Sequence, residues 1–358
     1  MQKKIAVVGG GAWGTTIAKV LCENGHLVKL WEYENEVADD INQNHMNSKF
    51  LYGVKLPESL KSFKDLGYVC QEADFIFMAN PSIYLIEYIR KVSEFENVKN
   101  GYPIIICTAK GFIDQGDKLP KLLLDALEAE LPWEYRNKTV YVSGPSHAEE
   151  VSRGKYTGLI SASLSKKNAI IVRGLLRNAY LNVFSSFDII GVQVCAAMKN
   201  IMAIAYGAVD AMKRFTATFG DNTEAMLLAA CLNEIMRLGV AMGSSTPETF
   251  TSFAGIGDLE ATCRSEHGRN RRFGKELIER HLMQSFNDLD DLISKSATLG
   301  YLPEGIFALK HAMRLAEYYK LNLPITTAIY SALNKKTTPE MTVSLLMQNL
   351  PALFEKIR

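Results

Sequence analysis

The chain has 358 residues, 47% of them hydrophobic, and its 40 lysines and arginines against 39 aspartates and glutamates leave a net charge of +1. This composition excludes a disordered chain, which combines high net charge with low hydrophobicity. It also argues against a nucleic-acid partner, because proteins that bind nucleic acid usually carry a large basic excess. The length predicts two globular domains of ordinary size.

The six cysteines are spread along the chain without a Cys-x-x-Cys pair or the spacing of metal ligands. We therefore expect neither a disulfide framework nor a bound metal, as is typical of a reducing compartment. The first apolar run is cut by glycines after Val8, which predicts a strand and not a signal peptide. The most apolar stretch, near residues 189–209, is interrupted by Lys199 and Asn200, so no membrane span and no membrane partner are predicted. A cytoplasmic protein is expected.

The first half of the chain alternates short β-branched runs with amphipathic stretches, the pattern of βα units that build a parallel sheet. The predicted strands are Lys4–Val8, Leu27–Trp31, Phe75–Ala79, Ile104–Thr108, Thr139–Val142 and Gly158–Ala162. The predicted helices lie near residues 12–24, 83–94, 117–129 and 168–178, and a short apolar segment follows at Asn182–Ser185.

The second half has a different composition, rich in Ala, Leu and Met with helical periodicity from Gly191 onward. The clearest predicted helices are Glu224–Met242, Phe307–Tyr319 and Ile325–Asn334, and Asn287–Ser296 is expected to be an exposed excursion. The change near Asp188 predicts an α/β domain over residues 1–188 and a mostly α-helical domain over residues 189–358.

A glycine-rich segment, Gly9-Gly10-Gly11-Ala12-Trp13-Gly14, fits G-x-G-x-x-G directly after the first predicted strand and before a helix. Glycines in this context permit a tight turn and the close approach of a pyrophosphate, which the helix N-terminus then binds. The alternative is an ordinary glycine-rich turn. The strand and helix on either side favour dinucleotide binding, so we predict that the first domain is of the Rossmann type.

Glu32 ends the second predicted strand, 18 positions after Gly14. A carboxylate near this offset hydrogen-bonds the adenosine ribose hydroxyls in many dinucleotide-binding domains, and no arginine stands beside Glu32. These features favour NAD over NADP. A solvated glutamate at a strand end is an equally weighted alternative.

Lys199 is the only charged residue between Asp188 and Asp210, in a segment that otherwise has the composition of a buried helix. Burial favours a neutral amine, which makes such a lysine a competent proton donor and acceptor near neutral pH. A lysine that extends to solvent, or one neutralised by a structural carboxylate, is the alternative.

Three clusters of small and charged residues follow apolar runs and could contact an anionic substrate. They are Thr108-Ala109-Lys110-Gly111, Ser143-Gly144-Pro145-Ser146 and Gly268-Arg269-Asn270-Arg271-Arg272. The last is expected to open a helix through Phe273, where amides and an arginine fork could hold an anion. A fourth segment, Gly255-Ile256-Gly257-Asp258, offers a carboxylate in a glycine-rich setting, or else a helix cap.

With these motifs in place, the chain resembles the two-domain bacterial NAD(P)-dependent glycerol-3-phosphate dehydrogenases over nearly its whole length. The resemblance rests on GGGAWGT, TAKG, SGPSHAEE, IGVQVCAAMKN, FAGIGDLEATC, GRNRRFG, PEG and LPIT, in the family's order. It implies reversible reduction of dihydroxyacetone phosphate to sn-glycerol 3-phosphate, a reaction that feeds phospholipid synthesis.

The resemblance also implies roles for individual residues. Lys199 matches the catalytic lysine that exchanges a proton with the substrate oxygen, and Lys110 and Asp258 match further residues of the catalytic site. The residues that match the substrate-binding set are Lys110, Gly144, Ser146, Lys199, Asp258, Gly268, Arg269 and Asn270, with Arg269 expected on the phosphate. The residues that match the cofactor-binding set are Gly9, Gly11, Ala12, Trp13, Gly14, Glu32, Tyr33, Lys110, Ala148, Arg269, Leu302 and Glu304.

Two positions depart from the family's pattern. Gly268 stands where members commonly have serine, so only its backbone amide could contact the phosphate, and Tyr33 stands where many have arginine or histidine near the adenosine ribose. The second departure again favours NAD, with NADP possible. A homodimer is expected because two-fold oligomers are the commonest. Two other functions stay open: reduction of another small keto acid, or a dinucleotide sensor without catalysis.

Overall fold

The computed structural model describes residues 2–266 and 268–355. Within these residues the strands are β1 (Lys4–Val8), β2 (Leu27–Trp31), β3 (Lys61–Phe63), β4 (Phe75–Met78), β5 (Ile104–Cys107), β6 (Ile113–Gln115), β7 (Lys118–Lys121), β8 (Val140–Ser143), β9 (Thr157–Ala162) and β10 (Leu181–Ser186).

Eight strands form one sheet in the order β10-β9-β8-β5-β4-β1-β2-β3, and β6 and β7 form a separate hairpin. Neighbouring strands of the large sheet run parallel, except that β8 and β9 are antiparallel. Strands β1, β4 and β8 are almost wholly buried apolar runs, as expected for a sheet covered on both faces. The loops that follow β1, β2, β4, β5 and β8 therefore gather at one edge of the sheet.

The helices that accompany this sheet are α1 (Ala12–Glu23), α2 (Asn35–Asn44), α3 (Leu66–Cys70), α4 (Ser82–Ser93), α5 (Glu96–Lys99), α6 (Leu123–Glu128), α7 (Ala148–Val151) and α8 (Lys166–Leu176). Helix α1 buries Ile17 and Leu21 in a core cluster that also contains Val7 of β1 and Leu30 of β2. This packing holds α1 against the sheet, with its N-terminus at the loop that follows β1.

The rest of the chain is helical: α9 (Ile189–Met212), α10 (Asp221–Ala241), α11 (Asp258–Arg264), α12 (Arg269–Glu279), α13 (Leu289–Ser294), α14 (Glu304–Tyr318), α15 (Pro324–Leu333) and α16 (Pro339–Glu355). Helix α9 is long and apolar enough to cross a membrane by length and composition, but 89% of its most apolar window is buried within the chain. A core helix meets the same criterion, and its burial here accounts for its apolar sequence. The expected fold class, a Rossmann-type α/β domain followed by a mostly helical domain, is confirmed.

Contacts divide the chain into two compact units. The first unit comprises residues 1–113 and 121–192, and the second comprises 114–120 and 193–358. The division differs from the predicted boundary at residues 188 and 189 by four residues, and it assigns Asp114–Pro120 to the second unit. There the guanidinium of Arg314 donates a 2.6 Å hydrogen bond to Lys118 O and pairs with Asp114 at 3.4 Å.

The predicted helix at residues 117–129 is wrong in its first third, which forms strand β7, and only Leu123–Glu128 is helical. Gly116 adopts φ +62° and makes the turn of the β6–β7 hairpin, and Pro120 has no amide hydrogen for a helix. The segment Asn287–Ser296, expected to be an exposed excursion, is only partly exposed, because it contains α13, which buries Leu289 and Leu292. Strand β3 and helix α2 were not predicted, and the apolar segment near Asn182 is the edge strand β10.

Candidate active site

The glycine-rich segment forms the turn between β1 and α1, and two of its glycines allow no side chain. Gly9 has φ +114°, and a Cβ on Gly14 would lie 1.8 Å from Gly9 O. A Cβ on Gly11, by contrast, would meet nothing within 4 Å. The turn therefore packs tightly against β4 and α1 while leaving space at Gly11, in front of the amides that begin α1. This arrangement fits a bound pyrophosphate, and Ala12 and Trp13 are the first residues of the helix.

Asn47 anchors this turn and was not predicted. Its Nδ2 donates hydrogen bonds of 2.8 Å to Gly10 O and to Thr15 Oγ1, and Thr15 Oγ1 itself donates to Gly10 O at 3.0 Å. The Asn47 side chain is fully buried. Sequence reasoning missed it because it lies 37 residues from Gly10 in an irregular segment, without a motif of its own.

Glu32 is buried, so the alternative of a solvated glutamate is wrong. Its carboxylate lies against the Gly10 backbone and accepts a 2.8 Å hydrogen bond from Glu34 N. Burial raises the pKa of Glu32, and hydrogen bonds from the amides of Glu34, Tyr33 and Gly10 oppose that shift. The neighbouring Tyr33 side chain is 75% exposed. Whether Glu32 also contacts a ribose stays a prediction.

Lys110 lies at the same edge of the sheet, in the loop after β5. Its Nζ is 3.3 Å from Gly144 O and 3.4 Å from Ser146 Oγ, in the loop after β8. The hydroxyl of Tyr141, fully buried on β8, donates a 2.7 Å hydrogen bond to Ala109 O and so fixes the backbone next to Lys110. The structure therefore brings together Lys110, Gly144 and Ser146, which two separate sequence motifs supplied.

Ala148 is the first residue of α7, and its carbonyl accepts a 3.3 Å hydrogen bond from Thr16 Oγ1 of α1. This contact places Ala148 beside the helix whose N-terminus faces the glycine turn. His147 precedes α7 as its N-cap residue.

Lys199 is buried on α9 and forms an ion pair with Asp258 of α11. Only 5% of Lys199 and 1% of Asp258 are exposed, so the pair is almost fully removed from water. Lys199 Nζ also donates a 2.9 Å hydrogen bond to Thr262 Oγ1, while that hydroxyl donates at 2.7 Å to Asp258 O. The Thr262 proton is therefore directed away from Lys199, and the ammonium is held from two sides. Thr262 was not predicted, although it follows Asp258 by one helical turn.

The segment before Asp258 is a π-helical turn, Phe253–Gly257, that leads directly into α11. A Cβ on Gly255 would lie 2.0 Å from Phe250 O, so this glycine is required by close packing and not by mobility. The expected glycine-rich loop is therefore a packed turn that places Asp258 at the start of a helix.

Helix α12 begins with the three residues predicted to contact the substrate. Gly268 is its N-cap, but the Gly268 amide donates at 3.2 Å to Ser265 O and is already used. Arg269 is exposed, and in the part of the chain that the structure describes no carboxylate pairs with it. The neighbouring Arg271 pairs with Asp210, and Arg272 pairs with Glu276. Arg269 is thus the arginine of this turn whose charge is not already compensated.

Asn270 is buried and joins three helices. Its Nδ2 donates a 3.0 Å hydrogen bond to Asn200 Oδ1 on α9, and its Oδ1 accepts a 2.9 Å bond from Gly305 N on α14. The side chain of Asn270 is therefore engaged within the protein. Asn200, which was not predicted, follows Lys199 directly, and its Nδ2 is a buried donor without a partner among the described residues.

The PEG motif forms the start of α14, where Gly305 contacts Asn270. A Cβ on Gly305 would lie 2.6 Å from Asn200 O, so glycine is needed where α14 meets α9. Leu302 and Glu304 flank Pro303, the N-cap residue of α14, and both are partly exposed. The second unit thus carries Lys199 in the middle of α9 and Asp258, Asn270 and Glu304 at the starts of α11, α12 and α14. The first unit holds the glycine turn and the Lys110 cluster.

Comparisons with known proteins identify the family of the chain. Residues 4–169 match the family model for the N-terminus of NAD-dependent glycerol-3-phosphate dehydrogenase, and residues 188–344 match the model for its C-terminus. Glycerol-3-phosphate dehydrogenase [NAD(P)+] of Treponema denticola is 48% identical over 353 residues, which cover 97% of this chain and 99% of the relative. The enzyme of the same name from Lactiplantibacillus plantarum is 36% identical and covers 97% of this chain and 98% of its own.

Among solved structures, glycerol-3-phosphate dehydrogenase from Coxiella burnetii superposes with a TM-score of 0.83 at 29% identity, covering 97% of this chain and 99% of that one. Sequence relatives, both family models and the fold therefore agree over almost the full length. The chain belongs to the NAD-dependent glycerol-3-phosphate dehydrogenase family.

Proposed function

We propose that this chain interconverts dihydroxyacetone phosphate and sn-glycerol 3-phosphate with NAD(P)H, and that Lys199 is its general acid and base. The observation that carries the proposal is the buried ion pair of Lys199 with Asp258, one helical turn from Thr262. Family membership does not favour the two other functions left open by the sequence, reduction of a different keto acid or dinucleotide sensing without catalysis.

Lys199 would donate a proton to the carbonyl oxygen of the ketone and take it back from the alcohol in the reverse direction. Asp258 and Thr262 orient its amine, since both hold Nζ by hydrogen bonds. A side chain fixed in this way loses little entropy when it reaches the transition state. Burial also strengthens the electrostatic interaction of the ammonium with a developing negative charge on the substrate oxygen.

Arg269 would bind the substrate phosphate. Its guanidinium lies at the N-terminus of α12, where the helix dipole already favours an anion, and it has no carboxylate partner among the described residues. Because the Gly268 amide donates to Ser265 O, the phosphate would be held by Arg269 rather than by the N-cap residue. Lys110, Gly144 and Ser146 are the proposed substrate contacts of the first unit.

The glycine turn and the N-terminus of α1 would hold the pyrophosphate of the dinucleotide, whose nicotinamide supplies the hydride when it is bound. The open space at Gly11 supports this assignment, since a Cβ there meets nothing. We expect NAD to be preferred to NADP, because the Glu32 carboxylate is buried behind the glycine turn and would repel a 2′-phosphate. Leu302 and Glu304 are the proposed cofactor contacts of the second unit.

A nicotinamide absorbance assay tests the function. Purified protein with dihydroxyacetone phosphate should consume NADH, and NADPH more slowly. Lys199→Ala should bind NADH normally but lose turnover by roughly 10²-fold or more. Lys336→Ala, which changes an exposed lysine of the same unit, is the matched control and should keep wild-type turnover. Undiminished turnover in Lys199→Ala would remove Lys199 from the mechanism.

We also propose a cytoplasmic homodimer. The six cysteines all lie among the described residues and form no disulfide, and five of them are buried, as suits a reducing compartment. The two-fold state is supported only by the frequency of such oligomers, and light scattering of the purified protein tests it directly.

A further inference from the structure

One stretch of the first unit carries a segregated positive charge. Residues 151–187 contain six lysines and arginines and no aspartate or glutamate. Since the whole chain has a net charge of +1, all the other residues together carry −5. Strand β9, helix α8 and the edge strand β10 lie in this stretch, so the charge is concentrated at one end of the large sheet.

Four of the six cations lie on or beside α8 and have no carboxylate partner. Lys166, Lys167, Arg173 and Arg177 take part in none of the ion pairs within residues 2–266 and 268–355, whereas Lys155 pairs with Glu150. The Glu23 carboxylate contacts the loop between α8 and β10, but it is already bound by Lys19 and by the Tyr180 hydroxyl. The positive charge of α8 is therefore available to a partner.

Apolar side chains are interspersed with these cations. Leu164, Ile170 and Phe187 are 50%, 48% and 47% exposed, and Lys166 Nζ lies 5.2 Å from the centre of the Phe187 ring. Ile170 shares the outward face of α8 with Lys166 and Arg173, while Ala169, Val172 and Leu176 face the sheet. We call the surface formed by Leu164, Lys166, Lys167, Ile170, Arg173, Arg177 and Phe187 the α8 surface.

We propose that the α8 surface binds the anionic surface of a lipid bilayer, an interaction that goes beyond the proposed dehydrogenase function. The proposal replaces the expectation of no membrane partner, which rested on the interrupted apolar stretch and not on the surface charge. Lysine and arginine attract acidic headgroups, and half-exposed leucine, isoleucine and phenylalanine side chains insert between headgroup and acyl chain. A nucleic acid would use the same cations but has no use for the aliphatic side chains between them. An acidic protein would need a surface of complementary shape to bury these apolar side chains, whereas a bilayer accommodates the mixture of charged and apolar groups.

Vesicle co-sedimentation of the full-length protein tests this interaction. The protein should bind vesicles of phosphatidylcholine with phosphatidylglycerol at low ionic strength, bind phosphatidylcholine alone much more weakly, and dissociate as salt is added. Each cation near an anionic membrane contributes about fivefold to the affinity, so Lys166→Gln with Lys167→Gln should weaken binding roughly 25-fold. Ile170→Ser with Phe187→Ser should weaken the binding that remains at high salt.

The matched control is Lys320→Gln with Lys336→Gln, which removes the same charge from exposed positions of the second unit and should leave vesicle binding within twofold. Turnover of dihydroxyacetone phosphate in solution should be unchanged in all three double variants, which shows that each is folded and separates this test from that of the catalytic proposal. Equal binding to neutral and anionic vesicles, equal loss in the control pair, or displacement from vesicles by a short DNA duplex at equal charge would overturn the proposal.

Discussion

Three arginines lie within four positions at the start of α12, and their surroundings differ. Arg271 and Arg272 are each bound to a carboxylate of the protein, whereas Arg269 is exposed without one among the described residues. A guanidinium already paired contributes little to a new anion, because its charge is compensated. The sequence alone does not show which of the three arginines is paired. The positions of Asp210 and Glu276 in the fold show it.

This difference gives a prediction with its own control. Arg269→Ala should raise KM for dihydroxyacetone phosphate by roughly tenfold or more, since a hydrogen bond to a charged group contributes about 1.5–3 kcal/mol. Arg272→Ala removes the same charge three positions further along α12, but the contacts that it breaks are with Glu276 and the Tyr301 ring, so its KM should stay near that of the wild type. Steady-state kinetics at saturating NADH measure both, and equal KM values in the two variants would place the phosphate elsewhere.

At the level of elements, the close contact of α9 with α12 determines where Lys199 and Arg269 lie. A Cβ on Gly207 of α9 would lie 2.0 Å from Arg271 O, and a Cβ on Gly274 of α12 would lie 2.0 Å from Ile204 O. Two glycines thus let the helix backbones touch. The proposed catalytic lysine and the proposed phosphate ligand are carried by these two helices, so their separation depends on this contact.

Gly274→Ala should therefore push α12 away from α9. We expect a loss of about 1–3 kcal/mol in the free energy of unfolding and a raised KM for the phosphorylated substrate. Gly174→Ala on α8 is the control, because a Cβ there meets nothing within 4 Å, and it should stabilise the protein by about 0.5–1 kcal/mol. Thermal denaturation and kinetics of both variants check the prediction; a Gly274→Ala protein as stable as the wild type would contradict it.

A second inter-helix contact makes stability depend on pH. Glu234 of α10 accepts hydrogen bonds from the amides of Ile325 and Thr326 at the N-terminus of α15, where Pro324 has no amide hydrogen to offer. Burial raises the pKa of Glu234 from 4.5 to about 7, although these bonds oppose the shift. Between these two pH values the folded chain keeps a proton that the unfolded chain has released. The contribution of Glu234 to stability is therefore complete below pH 4.5 and is lost as pH rises towards 7.

Glu234→Gln removes the titrating group while keeping a side-chain oxygen for the helix amides. Urea denaturation at several pH values between 4.5 and 7 should show a decline in the free energy of unfolding for the wild type, on the order of 3 kcal/mol at most, that is shallower in the variant. Parallel curves for the two proteins would assign the pH dependence to other groups.

At the scale of the whole molecule, the sequence predicted what depends on local patterns. The positions of six strands followed from β-branched runs, and the buried helix around Lys199 followed from its apolar composition. Asn47, Asn200 and Thr262 could not be found in this way, because each acts through a partner far away in the chain or on another helix. The β6–β7 hairpin was missed because its second strand was predicted as the start of a helix, although Gly116 and Pro120 disfavour a helix and the distant Arg314 contacts the hairpin.

The hairpin also affects how one unit of this chain could be replaced by the corresponding unit of a relative. Because Asp114–Pro120 belongs to the second unit, the chain crosses between units after residue 113, after residue 120 and after residue 192. A recombination event that replaced residues 1–192 in one piece would therefore import a foreign partner for Arg314 along with the new dinucleotide-binding unit. Inheritance of either unit intact needs three junctions, so the two halves of this enzyme are expected to vary together.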